Sequence, residues 1–194
     1  MNFRALAPSN IALVKYMGKE DPRVNQASNP SVSMTLDRLC SVAEVRWISG
    51  PKAEWQPSPP EPVEGLALEV PDLTPQGRSR ILLYAERCLK EIPPLLLKHG
   101  LKDQRPKGDS PEIRIANSFP AGVGIASSAS SFAALTLALG RAHGGVEFEA
   151  LWGQSSALRQ DFARLSKTGS GSSGRSMEGP WVHWDGDIVE TVAS

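Results

Sequence analysis

The stretch from Glu112 to Gly145 constrains this chain most. Glu112-Ile113-Arg114-Ile115 alternates charged and apolar residues with the period of two that half-buries a strand. It leads into a turn with two glycines, Pro120-Ala121-Gly122-Val123-Gly124, and then into Ser127 to His143, rich in alanine and leucine and stopped by Gly144-Gly145. A helix so rich in alanine and leucine belongs in a core. The order strand, glycine turn, buried helix calls for more sheet and more helix around it.

The rest of the chain supplies both. Ile11 to Val14, Ser33 to Leu36 and Ser41 to Ile48 read as strands; in the last, Ala43, Val45 and Trp47 alternate with Glu44 and Arg46. Between the first two, Gly18 to Pro30 is polar and turn-rich and reads as a surface loop. Pro51, Pro57, Pro59, Pro60 and Pro62 make 50–62 an extended excursion. Thr74-Pro75 then predicts a helix start, and Ile81, Leu82, Ala85, Cys88, Leu89 and Ile92 predict one amphipathic helix ending at Pro93-Pro94. A second helical region spans about Phe148 to Leu165, and Trp181 to Val189 reads as a hairpin around Asp185-Gly186. The class expected is α+β, a mixed sheet packed with helices.

Composition narrows the function. Lys+Arg and Asp+Glu number 21 each, so no global field gathers nucleic acid or an anionic membrane. The 40% apolar share and 17 glycines in 194 residues are those of a packed domain. Cys40 and Cys88 have no Cys-x-x-Cys partner and read as buried thiols rather than zinc ligands. No stretch approaches the ~20 apolar residues of a membrane span and the N-terminus has no signal-peptide core, so the expected compartment is the cytoplasm. His99, His143 and His183 show no metal or triad pattern.

Three stretches carry chemistry. In Pro120 to Ser130, glycines permit close approach, a helix start offers N–H groups and partial positive charge, and serines add hydroxyls, which together make a phosphate cradle. The same spacing also fits a tight turn capped by Ser127 or Ser128. Thr168 to Ser176 contains G-x-G-x-x-G, but a helix precedes it and Gly179-Pro180 follows, so it is not a dinucleotide fingerprint. Spacing alone favours a linker there, while Arg175 among small hydroxyl residues makes a fork for phosphate or carboxylate. Ser9 to Lys19 sets two lysines around Tyr16 at a strand end, where they meet either solvent or an anionic substrate.

Together, Asn10-Ile11-Ala12-Leu13-Val14-Lys15-Tyr16-Met17-Gly18-Lys19, Asn117 to Ser130 and Gly169-Ser170-Gly171-Ser172-Ser173-Gly174-Arg175-Ser176 resemble the diphosphomevalonate decarboxylase family of the GHMP kinase superfamily. The middle motif is the superfamily's ATP phosphate loop; the first and third point to the decarboxylase branch. The resemblance spans most of the chain except the proline-rich segment. It implies the GHMP kinase-like fold, with an N-terminal lobe like ribosomal protein S5 domain 2. It also implies ATP held at Gly122, Gly124, Ser127, Ser128 and Ser130, with Mg²⁺ at Ser127. Tyr16, Met17, Lys19, Ser170, Ser172 and Arg175 would bind mevalonate diphosphate, with Arg175 and Lys19 as the catalytic cations. The implied reaction phosphorylates the substrate's tertiary hydroxyl, then releases phosphate and CO₂ to give isopentenyl diphosphate.

Two departures stand out. Met17 lies where the family has tryptophan, which keeps mevalonate or its monophosphate open as substrate for a related 3-kinase or decarboxylase. The family's aspartate stretch, Asp-Ala-Gly-Pro-Asn-like, does not occur here, and none of Asp161, Glu178, Asp185 or Asp187 matches it. The chain therefore reads as the N-terminal domain, 1–194, of a longer enzyme, with a homodimer or the C-terminal half as its expected partner. A noncatalytic phosphate-binding module is the competing class. No nucleic-acid or membrane partner is expected.

Overall fold

The computed structural model describes residues 1–14, 19–21, 26–27, 29–120, 125–185 and 188–192. Its elements are β1 (Asn2–Val14), β2 (Lys19–Asp21), β3 (Gln26–Ala27), β4 (Ser31–Ser49), β5 (Glu54–Trp55), α1 (Pro75–Lys98), β6 (Asp109–Asn117), α2 (Ser127–Trp152), α3 (Ser156–Gly169), a 3-10 turn (Ser173–Ser176), β7 (Trp181–Asp185) and β8 (Ile188–Thr191). The α+β class expected from the sequence is the class found.

β4 is the spine of the sheet. The order is β5-β6-β4-β7-β8, with β1 along the other edge of β4. Ser41 to Ser49 of β4 pair with β6, and Ser31 to Met34 with β7. The two strands expected at 33–36 and 41–48 are thus one. The β1 register jumps from Pro8↔Cys40 to Ser9↔Leu36, so Asp37, Arg38 and Leu39 form a bulge that bends the strand without ending it. In the expected loop 18–30, β2 and β3 pair as a short antiparallel ribbon.

The period-two alternation holds. Ala43 and Val45 join Ala5, Ala7, Ile113 and Ile115 on the face that shares a core with all three helices. Trp47 packs against that core and donates its indole N–H to the Ala142 carbonyl at 3.1 Å. The other face carries charge in register: Arg4 opposes Glu44, Glu44 opposes Arg114, and Arg46 opposes Glu112. The proline-rich excursion covers this ladder. The Glu61 N–H donates to Glu44 at 3.0 Å, and Arg4 donates to the Glu61 and Pro62 carbonyls.

Helix ends required correction. α1 starts as expected, with Thr74 accepting from the Gly77 N–H, but it runs through Pro93-Pro94 to Lys98. Those prolines forfeit only the bonds to the carbonyls one turn back. The last turn is held by the fully buried Leu96 and closed by Gly100, whose φ of +75° suits a helix C-terminus. The stop expected at Gly144-Gly145 is a kink, with Gly145 at φ 59° and ψ −146°, beyond which α2 continues to Trp152. The helix expected over 148–165 is therefore split, and α3 begins afresh where Ser155 accepts from the Leu158 N–H. The hairpin expected at 181–189 is β7 paired with β8, Asp185 opposite Ile188.

Asp161 of α3 ties the helices together. Its carboxylate accepts from Lys98 at 2.6 Å, His99 at 2.8 Å and Arg164 at 3.1 Å. Burial opposes its charge, yet the hydrogen bonds from Lys98 and His99 hold the carboxyl below the usual carboxylate range. A carboxyl depressed on folding contributes stability that is present above its unfolded pKa and lost as pH falls through the folded value. Asp161→Asn is expected to cost about 2 kcal/mol at pH 7 and to flatten the acid limb below about pH 4. Urea midpoints of both proteins between pH 7 and pH 3 check this.

Candidate functional site

The three chemistry-bearing stretches meet although they are far apart in sequence. Asn10, buried in β1, donates its amide to the Ser176 hydroxyl at 2.8 Å and to the Ser172 carbonyl at 3.5 Å. Ser9, next to it, donates to the Ile125 carbonyl just before α2. The Ser128 hydroxyl at the start of α2 lies 3.5 Å from that of Ser170 at the end of α3. Each contact joins a different pair of stretches.

The start of α2 is built to be open. Its cap residue is Ala126, in the left-handed region at φ 56°, and no side chain of that residue closes the helix. The first turn is fixed from behind. Ser41 donates to Asn117 at 2.7 Å, Ser130 lies 2.7 Å from Ser41, and Ser130 also donates to the Ser127 carbonyl at 3.2 Å. Ser127 and Ser128 instead line a cleft of about 150 Å³ with Asp72, Leu73, Arg80 and Asn117. Of the serines expected at ATP, two therefore face a cleft, while the fully buried Ser130 ties the helix to the sheet. Gly122 and Gly124 lie outside the described residues.

The third stretch is an ordered, buried turn rather than a linker. The Ser173 hydroxyl donates to the Ser170 carbonyl at 2.7 Å and lies 3.0 Å from the Ser166 hydroxyl, which folds the chain back on the end of α3. Gly169 must be glycine: a Cβ there would lie 2.2 Å from Phe132 and 2.9 Å from Tyr84. Arg175 is 3% exposed. It donates to the Ser31 hydroxyl at 2.9 Å, and its guanidinium carbon lies 5.8 Å from the centre of the Trp184 ring. Ser170 is buried and Ser172 half-buried beside it. Of the first-stretch candidates, Tyr16 and Met17 lie outside the described residues, and Lys19 enters only through its backbone in β2.

Sequence reading missed Asn10, Ser31, Arg80 and Trp184 as site residues. An asparagine just ahead of the apolar run Ile11 to Val14 was a usable signal, because Asn is depleted in strands. Arg80 carried none: it sits on the exposed face of α1, its guanidinium 4.9 Å from the Phe132 ring centre, donating to the Gly169 carbonyl. Two of the three histidines without a pattern have structural partners, His99 on Asp161 and His143 on Asp103, each at 2.8 Å. No described helix is long and apolar enough to cross a membrane.

Comparison with known proteins follows the same residues. The model of the diphosphomevalonate decarboxylase-like N-terminal domain matches 7–55 and 85–191, leaving out 56–84, which holds the second half of the proline-rich excursion and the first turns of α1. The diphosphomevalonate decarboxylases of Ganoderma lucidum and Eremothecium gossypii are 33% and 32% identical over 93% and 92% of this chain. The chain spans about 40% of the length of each of these curated relatives. The mevalonate diphosphate decarboxylase from Legionella pneumophila superposes with a TM-score of 0.71 at 31% identity, over 100% of this chain and 54% of that one. The GHMP-type fold expected from the three motifs is the fold of these neighbours. By sequence and by fold, this chain belongs to the diphosphomevalonate decarboxylase-like N-terminal domain family.

Proposed function

We propose that this chain is the ATP- and substrate-binding lobe of an enzyme that decarboxylates mevalonate 5-diphosphate to isopentenyl diphosphate at the expense of ATP. The observation that carries the reading is the meeting of the three motifs, Asn10 with Ser172 and Ser176, and Ser128 with Ser170. The donor set fits a nucleotide: an uncapped helix start, two hydroxyls on a cleft and a guanidinium within it are the groups that hold phosphate.

Bound ATP supplies the phosphoryl group that turns a tertiary hydroxyl into a leaving group, and Mg²⁺ offsets its charge. In this reading Ser127, Ser128 and the first N–H groups of α2, with Gly122 and Gly124 before them, hold the phosphates, and Ser127 reaches the metal. Ser130 supports them from behind. Ser170, Ser172 and Arg175, with Tyr16, Met17 and Lys19, hold the acidic substrate, and Arg175 balances negative charge as it moves. The general base belongs to the C-terminal half of the longer enzyme, which is also the partner proposed for this lobe in preference to a second copy. The compartment stays the cytoplasm.

Thermal unfolding tests the reading. Mg-ATP and mevalonate diphosphate, each at about 100 times its Kd, are expected to stabilise the chain by about 2.7 kcal/mol, raising Tm by roughly 5–10 °C. Absence of a shift with both ligands would overturn the assignment. Met17 favours a second reading, a 3-kinase or decarboxylase acting on mevalonate or its monophosphate, so those two compounds are run alongside. A larger shift with either one would move the substrate assignment to it.

A further inference from the structure

Arg175 is held from two sides by one rung of the sheet. Ser31 and Trp184 are register partners in the β4–β7 ladder. Ser31 accepts from the Arg175 Nη2 at 2.9 Å, and the guanidinium carbon lies 5.8 Å from the centre of the Trp184 ring. All three side chains are buried. Gly174 lets the 3-10 turn come this close, since a Cβ there would lie 3.0 Å from the indole. A second buried cation, Lys167, lies over the same ring with its Nζ 4.8 Å from the centre. The electron-rich face of an indole attracts a guanidinium and favours stacking of its plane, whereas a hydroxyl fixes one N–H direction. One contact places the guanidinium at the indole and the other fixes the direction of one N–H.

We propose that the Ser31–Trp184 pair positions Arg175, holding the guanidinium fork in the orientation that binds the acidic substrate. Trp184 and Ser31 are positioning residues: they act on the substrate through Arg175. The inference rests on the substrate reading given above, but the geometry of the pair is testable without substrate.

The test uses the ¹⁵N-labelled chain and reads the arginine Nε–Hε resonances, with the Arg175 peak identified by its loss in Arg175→Lys. Ring current from Trp184 is expected to displace that peak from the free-arginine position. Trp184→Phe should keep most of the displacement and Trp184→Leu should abolish it. Calorimetric titration with mevalonate diphosphate should show about tenfold weaker binding for Trp184→Leu, with rescue to within about threefold for Trp184→Phe. Should Trp184→Leu fail to fold, Ser31→Ala carries the test, with an expected shift of the Arg175 peak and about fivefold weaker binding. An Arg175 peak unmoved by Trp184→Leu, or by Ser31→Ala where that variant carries the test, would overturn the proposal. If the wild-type chain binds no mevalonate diphosphate, the substrate reading fails, whereas a peak displaced by Trp184 still places the indole against the Arg175 guanidinium.

Discussion

Replacing Arg175 by alanine is expected to weaken binding of mevalonate diphosphate by about 30-fold or more. The side chain is 3% exposed, so its charge acts through little intervening water, and truncating one partner of a buried charged contact costs about 2–5 kcal/mol. Lysine at the same position keeps the charge but loses the planar fork that lies beside Trp184, so Arg175→Lys should fall between wild type and Arg175→Ala. The measurement is the Kd for mevalonate diphosphate by calorimetry, with the melting temperature of each unliganded variant beside it. A variant that melts near the wild type yet binds weakly has lost a contact and not its fold. An unchanged Kd for Arg175→Ala would remove Arg175 from the site.

What was legible in the sequence was local. Period-two alternation located the inward face of β4, and the Thr74-Pro75 signal located the start of α1, because both depend on residues a few positions apart. Element ends were less legible wherever tertiary contacts decided them. Pro93-Pro94 did not stop α1, because Leu96 is buried beyond them and Asp161 holds Lys98 and His99 from another helix. The bulge at Asp37 to Leu39 joins two strands because β1 keeps pairing on both sides of it. The site followed the same division. Arg175 and the serines were visible as a motif, but Ser31 lies 144 positions from Arg175, and nothing local marks Trp184 as its neighbour. Ser130 looked equivalent to Ser127 and Ser128 in the motif. Helical periodicity turned it towards Ser41 of the sheet.

The stability of the third motif depends on the aromatic cluster behind α3, and Phe162→Ala is expected to destabilise the chain by about 4 kcal/mol. Phe162 is fully buried, its ring centre 5.0 Å from that of Phe148 and 6.0 Å from that of Trp152. Phe148 and Trp152 follow the Gly145 kink and Phe162 follows the restart at Ser155, so the cluster clamps α3 against α2. At 194 residues this loss corresponds to a fall in Tm of roughly 10 °C. Gly140 of α2 offers an independent check of the cause. A Cβ at Gly140 would lie 2.6 Å from both the Phe148 and Phe162 rings, so Gly140→Ala alone overpacks the cluster at a cost of about 2 kcal/mol, partly offset by about 1 kcal/mol of helix propensity. In the double variant the new methyl enters space that the Phe162 ring vacates. Its loss should then be smaller than the sum of the single losses by about 1 kcal/mol or more, a coupling expected only of residues in contact. Urea unfolding of the four proteins measures it. Additivity within about 0.5 kcal/mol would mean that the ring and the glycine do not share this space, and that α3, with Lys167 and Ser170 at its end, is anchored elsewhere.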